Sequence, residues 1–245
     1  MENPLIDPSY NVRGNYTAYV TNTLVSIIQI KKALKNHPSF KSEIEQVENT
    51  DLNQSQNKKL LVLDLDETLV HADFEGIFLN HDVVLSFNSD GSTYTVGVFL
   101  RPGLHDFLQI LKEKFDICIY TASSPVYADA IIDYLDPDKK IITKRLYRED
   151  CININGTLFI KDISLLSKDY QMKDIVIVDN SLYSFMNHIS NGILINSFYY
   201  DKSDLELYSV MNYLIDHVAK NDDVRDVNDQ FFNFKQIMEE IEKEL

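Results

Sequence analysis

Positive charge is scarce in this chain: its 245 residues carry 23 lysines and arginines against 38 aspartates and glutamates, a formal net charge of −15. Such a balance repels a nucleic-acid backbone or an anionic membrane, so any phosphate must be gripped by a local cluster of groups. Cysteine is nearly absent as well. Cys118 and Cys151 lie far apart with no CxxC or Cys/His spacing, which argues against a disulfide framework or structural zinc and reads as reduced thiols in the cytosol or nucleus. No segment approaches the ~18 consecutive apolar residues of a membrane span, and Met1-Glu2-Asn3-Pro4 lacks a basic stretch followed by an apolar run. Internal repeats are missing too.

What remains is an ordinary globular composition, 44% hydrophobic and 25% charged, long enough for one α/β domain with an appendage. From Tyr19 to Leu34 the residues Leu24, Ile27, Ile28 and Leu34 fall on helical spacing, with Lys31, Lys32 and Lys35 near the end where the helix dipole favours them. Asn36 to Lys58 is polar and reads as a linker, so a boundary is placed there: residues 1–58 as helix plus linker, 59–245 as the main domain.

Short apolar runs ending in polar residues then recur, at Leu60–Leu63, Phe115–Tyr120 and Ile175–Val178, with Ile193–Ile195 completing the set. This is the pattern of buried parallel strands. Helical patterns separate them, at Leu104–Lys114, Tyr127–Leu135 and Asp204–Ala219, which predicts a doubly wound parallel sheet with ligands bound outside the carboxyl ends of its strands. Val83–Phe87 and Tyr94–Leu100, separated by Asn88-Ser89-Asp90-Gly91, predict a β-hairpin inserted after the first strand.

The sharpest local signal is Asp64-Leu65-Asp66-Glu67-Thr68, directly after the first apolar run. Two carboxylates at one strand end repel each other unless a hard divalent cation lies between them, and magnesium needs only one or two carboxylates because it keeps several waters. A carboxylate is also a recognised nucleophile in phosphoryl transfer, and a second one two residues on can serve as general acid and base. A lone aspartate at a strand end is usually a turn residue, and Asp179-Asn180 after Ile175–Val178 reads equally well as a turn. Lys161 alone reads as a surface lysine. Thr121 or Ser123 can cap the helix that begins near Pro125 while still binding phosphate. Arg148 can pair with Glu149 or Asp150.

Asp64 to Ala72, reading DLDETLVHA, resembles the signature of the haloacid-dehalogenase superfamily, within it the small phosphatases of the RNA polymerase C-terminal domain, also called NLI-interacting-factor-like phosphatases. The resemblance runs from about Lys59 to about Val227. It passes through Arg101-Pro102, Asp106-Phe107-Leu108, Thr121-Ala122-Ser123, Tyr127-Ala128-Asp129, Arg148-Glu149, Lys161-Asp162 and Asp179-Asn180-Ser181. It implies a magnesium-dependent phosphoserine/phosphothreonine protein phosphatase working through an aspartyl-phosphate. Asp64 matches the nucleophile and a metal ligand; Asp66 matches the acid/base, with its carbonyl on the metal. Asn180 matches a further ligand, Thr121 the phosphate-binding hydroxyl, Lys161 the lysine that neutralises the phosphoryl charge, and Tyr127 and Arg148 match peptide contacts.

The resemblance also implies an apolar proline pocket built with the hairpin, for which Val84, Phe87, Val96, Val98 and Phe99 are candidates. The implied partner is a phosphoprotein, with the RNA polymerase II C-terminal domain as one candidate, in the nucleus or cytoplasm. The chain departs from the pattern at Asn196 to Asp201, where the family carries Trp or Phe before an Asp-Asn pair; no tryptophan occurs anywhere. Its acidic balance suggests basic residues around the phosphosite. Rival readings are a small-molecule phosphatase of the same superfamily, which would need a cap, and a non-catalytic scaffold, which would be expected to lose catalytic groups. His71, near Asp66, and the apolar pattern of Asp229–Leu245, expected to pack on the core, complete the candidates.

Overall fold

The continuous run Lys59–Leu63 forms β1, the central strand of a five-stranded parallel sheet in this computed structural model, which describes residues 13–34, 58–76 and 80–244. On one side β1 pairs with β5 (Phe115–Tyr120), which pairs with β6 (Ile142–Leu146). On the other it pairs with β9 (Ile175–Asp179), which pairs with β10 (Gly192–Leu194). The spatial order β10-β9-β1-β5-β6 therefore reverses direction at β1, and a crevice opens at the carboxyl end of such a switch point. Leu60, Leu61, Val62 and Leu63 are buried. Each such side chain contributes about 1.5–3 kcal/mol relative to exposure. That explains why β1 lacks the polar alternation of a half-exposed strand.

The hairpin is present and is larger than its sequence pattern. β3 (Val83–Ser89) and β4 (Ser92–Leu100) are joined at Asp90-Gly91, both at positive φ (51° and 76°), as a two-residue type I′ turn requires. A short strand, β2 (Val70–Asp73), pairs with β4, so the insertion is a three-stranded antiparallel sheet, β2-β4-β3. A second small ribbon pairs β7 (Ile152–Ile154) with β8 (Leu158–Ile160).

Among the helices, α1 (Arg13–Leu34) extends the expected helix at its start. Its Val20, Leu24, Ile27 and Ile28 join the same hydrophobic core as the central sheet. The boundary and polar linker read at 36–58 lie almost wholly outside the described residues. α2 (Leu104–Leu111) follows β4, and α3 (Pro125–Leu135) follows β5 with proline in its first turn, where no backbone N–H is needed. α4 (Glu206–Tyr213) continues into a π-helical turn over Leu214–Val218, so the expected helix from 204 to 219 changes its bonding midway. α5 (Val224–Phe232) and α6 (Phe234–Glu244) are separated by Asn233 at φ 59°, and α6 packs against α1. Phe232, Phe234 and Met238 bury their side chains in the core, the packing expected of the C-terminal apolar pattern.

Candidate active site

Three neighbouring strands deliver polar residues to one end of the sheet: Asp64 just beyond β1, Thr121 just beyond β5, and Asp179-Asn180 at the end of β9. The Asp64 N–H donates to the carbonyl of Val178 at 3.0 Å, which carries the β1–β9 ladder one residue further and fixes where the carboxylate starts. The loop after it closes tightly. Glu67 N–H bonds to Val70 O at 2.7 Å and Leu69 N–H to Leu65 O at 2.9 Å, with Glu67 held at φ 57°. A non-glycine residue there costs of order 1–3 kcal/mol unless its surroundings fix it. His71 is one of those surroundings: its Nδ1 lies 3.0 Å from Glu67 Oε1, and its ring lies against Phe99 and Tyr199. His71 supports the loop and is not part of the cleft lining.

Within that frame Asp64 is 6% exposed and both of its oxygens are engaged. Lys161 Nζ donates to Oδ1 at 2.5 Å and the Thr68 hydroxyl to Oδ2 at 2.7 Å. The same ammonium donates to Asp179 Oδ2 at 2.6 Å, so one buried lysine bridges carboxylates from two strands. Lys161 is thus not a surface lysine; it is 1% exposed. Burial works against its charge, but the two carboxylates outweigh that and hold it above the ordinary lysine range. Burial likewise lifts Asp179, with Asp64 adding to the rise and Lys161 opposing it.

Asp66 is the other carboxyl of the pair, and it faces different partners. Tyr127 O–H donates to Oδ1 at 2.5 Å and Ser123 O–H to Oδ2 at 2.7 Å, with Thr121 Oγ1 at 3.5 Å. Burial raises its pKa above the usual carboxylate value and the two hydroxyls pull it back down. Two acids two residues apart therefore sit in opposite environments, one beside an ammonium and one among hydroxyls. Thr121 Oγ1 accepts the Ser123 N–H at 3.0 Å. Neither Thr121 nor Ser123 caps α3: Ser124 holds that position and makes no side-chain cap bond, because the two preceding hydroxyls point at Asp66 and the loop.

These groups line one cleft of about 690 Å³ together with Arg148, Phe74, Phe87 and Tyr94. Among the described residues Arg148 pairs with no carboxylate; its Nε donates to Ala122 O at 2.6 Å and its guanidinium lies 5.5 Å over the Phe159 ring. Of the five apolar wall candidates only Phe87 lines the cleft. Val96 and Val98 are buried in the core beneath the small sheet, while Val84 and Phe99 share its other face, Val84 exposed and Phe99 covered by His71, His81 and Tyr200, as strand alternation dictates.

Three features escaped sequence reasoning. Thr68 bonds Asp64 and also accepts the Asn180 N–H at 3.2 Å, joining the β1 and β9 loops. Its place two residues after Asp66 was the available signal. Ser123, expected to cap the helix or bind phosphate, bonds Asp66. Arg101, 1% exposed, donates to Thr68 O, Asn196 O and both Asp204 oxygens, anchoring the site loop to the segment before α4.

No three His, Cys, Asp or Glu side chains form a metal cluster among the described residues. The donors present nevertheless fit magnesium, which binds through one or two carboxylates plus neutral oxygens and water. Asp64 Oδ2 and Asn180 Oδ1 both lie within reach of the one Thr68 hydroxyl, at 2.7 and 3.4 Å, so a carboxylate and an amide oxygen stand side by side. Asp64 and Asp179 share a single buried ammonium and Asp66 lines the same cleft, an excess of acidic groups that a divalent cation would offset.

A family model described as NLI interacting factor-like phosphatase matches residues 59–225. The probable C-terminal domain small phosphatase of Dictyostelium discoideum is 43% identical over 175 residues, 71% of this chain and 55% of that protein. The CTD small phosphatase-like protein of Homo sapiens is 36% identical over 167 residues, 68% of this chain and 58% of that one. The solved structure of Fcp1, described as an essential RNA polymerase II CTD phosphatase, aligns with a TM-score of 0.47 and 23% identity over 74% of this chain and 49% of that one. The chain spans about half the length of the curated relatives it matches. With the match running from β1 into α5 and enclosing every group of the cleft, the chain belongs to the NLI interacting factor-like phosphatase family.

Proposed function

We propose that this chain is a magnesium-dependent protein phosphatase that removes phosphate from phosphoserine or phosphothreonine through an aspartyl-phosphate on Asp64. The observation that carries this reading is the division of labour between two adjacent carboxyls: Asp64 beside the Lys161 ammonium, and Asp66 beside the hydroxyls of Tyr127 and Ser123. The first environment sets an ammonium and a hydroxyl against the attacking carboxylate, while burial raises the second toward the protonated form that a general acid needs.

An oxygen of Asp64 attacks phosphorus as the bond to the serine oxygen breaks, and Asp66 gives its proton to that leaving oxygen. Asp66, now ionised, takes a proton from water, which attacks the phosphoryl group and releases inorganic phosphate with Asp64 restored. Lys161 and Thr121 neutralise and bind the phosphoryl oxygens, where the transition state gathers charge. Bound by Asp64, the Asp66 carbonyl and Asn180, magnesium would add positive charge beside the same oxygens.

The cleft supports a protein substrate. Its rim carries Phe74, 59% exposed, and Tyr94, 46% exposed, and the small sheet beside it lends a wall through Phe87. Tyr127 and Arg148 line the same cleft, Tyr127 buried and Arg148 exposed, where a peptide's flanking residues would lie. Relatives named as C-terminal domain phosphatases make the phosphorylated tail of RNA polymerase II the first candidate substrate.

The test compares hydrolysis of a phosphoserine peptide and of a small aryl phosphate, with magnesium, with chelator, and with Asp64→Asn. Magnesium-dependent turnover that prefers the peptide and disappears with the substitution is expected. Turnover of neither compound would overturn the reading in favour of a binding module.

A further inference from the structure

Tyr127 was matched to peptide binding, yet its hydroxyl does not project into the cleft as a free donor: it is spent on Asp66 Oδ1 at 2.5 Å. The ring is 5% exposed and has little freedom. Phe74 tilts against it at 5.2 Å between centroids, and Phe87 meets it edge-on at 5.8 Å. Such aromatic pairs fix orientation as well as adding area. Ser123, one helical turn earlier in the chain, takes the other oxygen of Asp66. The acid is therefore gripped at both oxygens by one segment, the turn from β5 into α3, while its own backbone belongs to the β1 loop.

We propose that Tyr127 is a positioning residue for Asp66, holding the carboxyl in the one rotamer from which it can reach the leaving oxygen, with Phe74 and Phe87 fixing where the phenol points. The inference rests on the function proposed above and deepens it. A carboxyl without the Tyr127 bond is held at one oxygen alone, by Ser123 and at longer range Thr121, and can turn about its Cβ–Cγ bond away from the leaving group. The same two rings form part of the cleft wall, so whatever packs there bears on the acid through Tyr127.

Tyr127→Phe tests this, because it removes one hydroxyl and leaves the ring. The parameter kcat/KM reports steps up to phosphoryl transfer onto Asp64, and the need for a general acid depends on the leaving group. For a phosphoserine peptide, whose alkoxide leaves poorly, kcat/KM is expected to fall ~10–100-fold. For 4-nitrophenyl phosphate, whose phenolate leaves without help, the fall should be only about 2–5-fold. Peptide affinity measured in an Asp64→Asn background, where turnover is blocked, should change by less than about twofold when Tyr127→Phe is added. Ser123→Ala should show the same leaving-group dependence.

Equal losses for both substrates, or a drop in peptide affinity large enough to account for the whole loss, would overturn the proposal and leave Tyr127 as a peptide contact. A crystal structure of the Tyr127→Phe protein gives a readout independent of turnover. Asp66 is expected to have left its place against Ser123, and an unchanged rotamer contradicts the proposal. Should the parent protein hydrolyse neither substrate, the phosphatase reading fails while this structural outcome still decides the role of Tyr127.

Discussion

The floor of the cleft and its wall are built on opposite plans. The floor is a closed polar lattice in which Asp64, Thr68, Lys161 and Asp179 are all buried, Lys161 joining Asp64 to Asp179 and Thr68 joining Asp64 to the Asn180 backbone. The wall is aromatic and half open, with Phe74 and Phe87 against the Tyr127 ring and Tyr94 stacked on Phe87. A buried charge has to be paired, so the floor admits few alternative arrangements. A ring at a rim has no such obligation, which leaves the wall free to set which substrate enters. On the proposed reading, chemistry resides in the part whose charges must stay paired, and selection in the part that is free to vary.

Substitutions that break the floor should be the most severe. Asp64→Asn is expected to lower turnover on the order of 10⁴-fold or more while leaving a folded protein, as steady-state kinetics and melting curves would show. Lys161→Met should abolish activity and destabilise the fold as well, by about 3–5 kcal/mol in urea titration, because Asp64 and Asp179 are then buried with no cation between them. Were Lys161→Met as stable as the parent, the floor would not be the paired lattice described. Arg101→Met removes the cation from Asp204 and the guanidinium donors from the Thr68 and Asn196 carbonyls and is expected to cost about 3 kcal/mol or more, with activity falling because Thr68 loses its anchor.

The wall should respond differently. Phe87→Ala is expected to raise KM for a phosphopeptide by roughly 5–30-fold, an apolar contact of about 1–2 kcal/mol, with kcat for a small aryl phosphate little altered. Equal effects on both substrates would dissolve the distinction between floor and wall. The smallest expected effect lies away from both. Burial raises the Asp136 carboxyl, but the backbone N–H groups of Ile142, Ile141 and Lys140 more than reverse this and hold it below the ordinary value. A depressed folded pKa gives stability that is present above the unfolded pKa and lost as pH falls through the folded one. Parent protein should therefore lose stability below about pH 4, where unfolded aspartate titrates, more steeply than Asp136→Asn, as urea midpoints would record.

The sequence made the central sheet legible because β1, β5 and β9 are largely buried on both faces and read as apolar runs, broken in β5 at Asp116. The same clarity placed Asp64, Asp66, Thr121 and Asn180 at one end, since each follows such a run. β6 went unread: Ile142–Leu146 carries Lys144 and Arg145, tolerable on an edge strand with one neighbour but unlike its interior companions. β2 is too short to show a period and exists through its pairing with β4. Local sequence also gives no sign that Lys161 reaches Asp64 and Asp179, or that Arg101 reaches Asp204, because those bonds join segments that only the fold brings together. The hydroxyls of Thr68 and Ser123 were ambiguous for the same reason, since a hydroxyl near a strand end can cap, turn or bind.

The most direct test of the central claim is to mix the protein with magnesium and excess phosphoserine peptide, quench in acid and search for covalent phosphate by mass spectrometry. The account predicts one phosphoryl group on the fragment containing Asp64, absent when Asp64→Asn is used or magnesium is withheld. Rapid peptide turnover with no phosphorylated fragment, or a phosphoryl group on another residue, would contradict it.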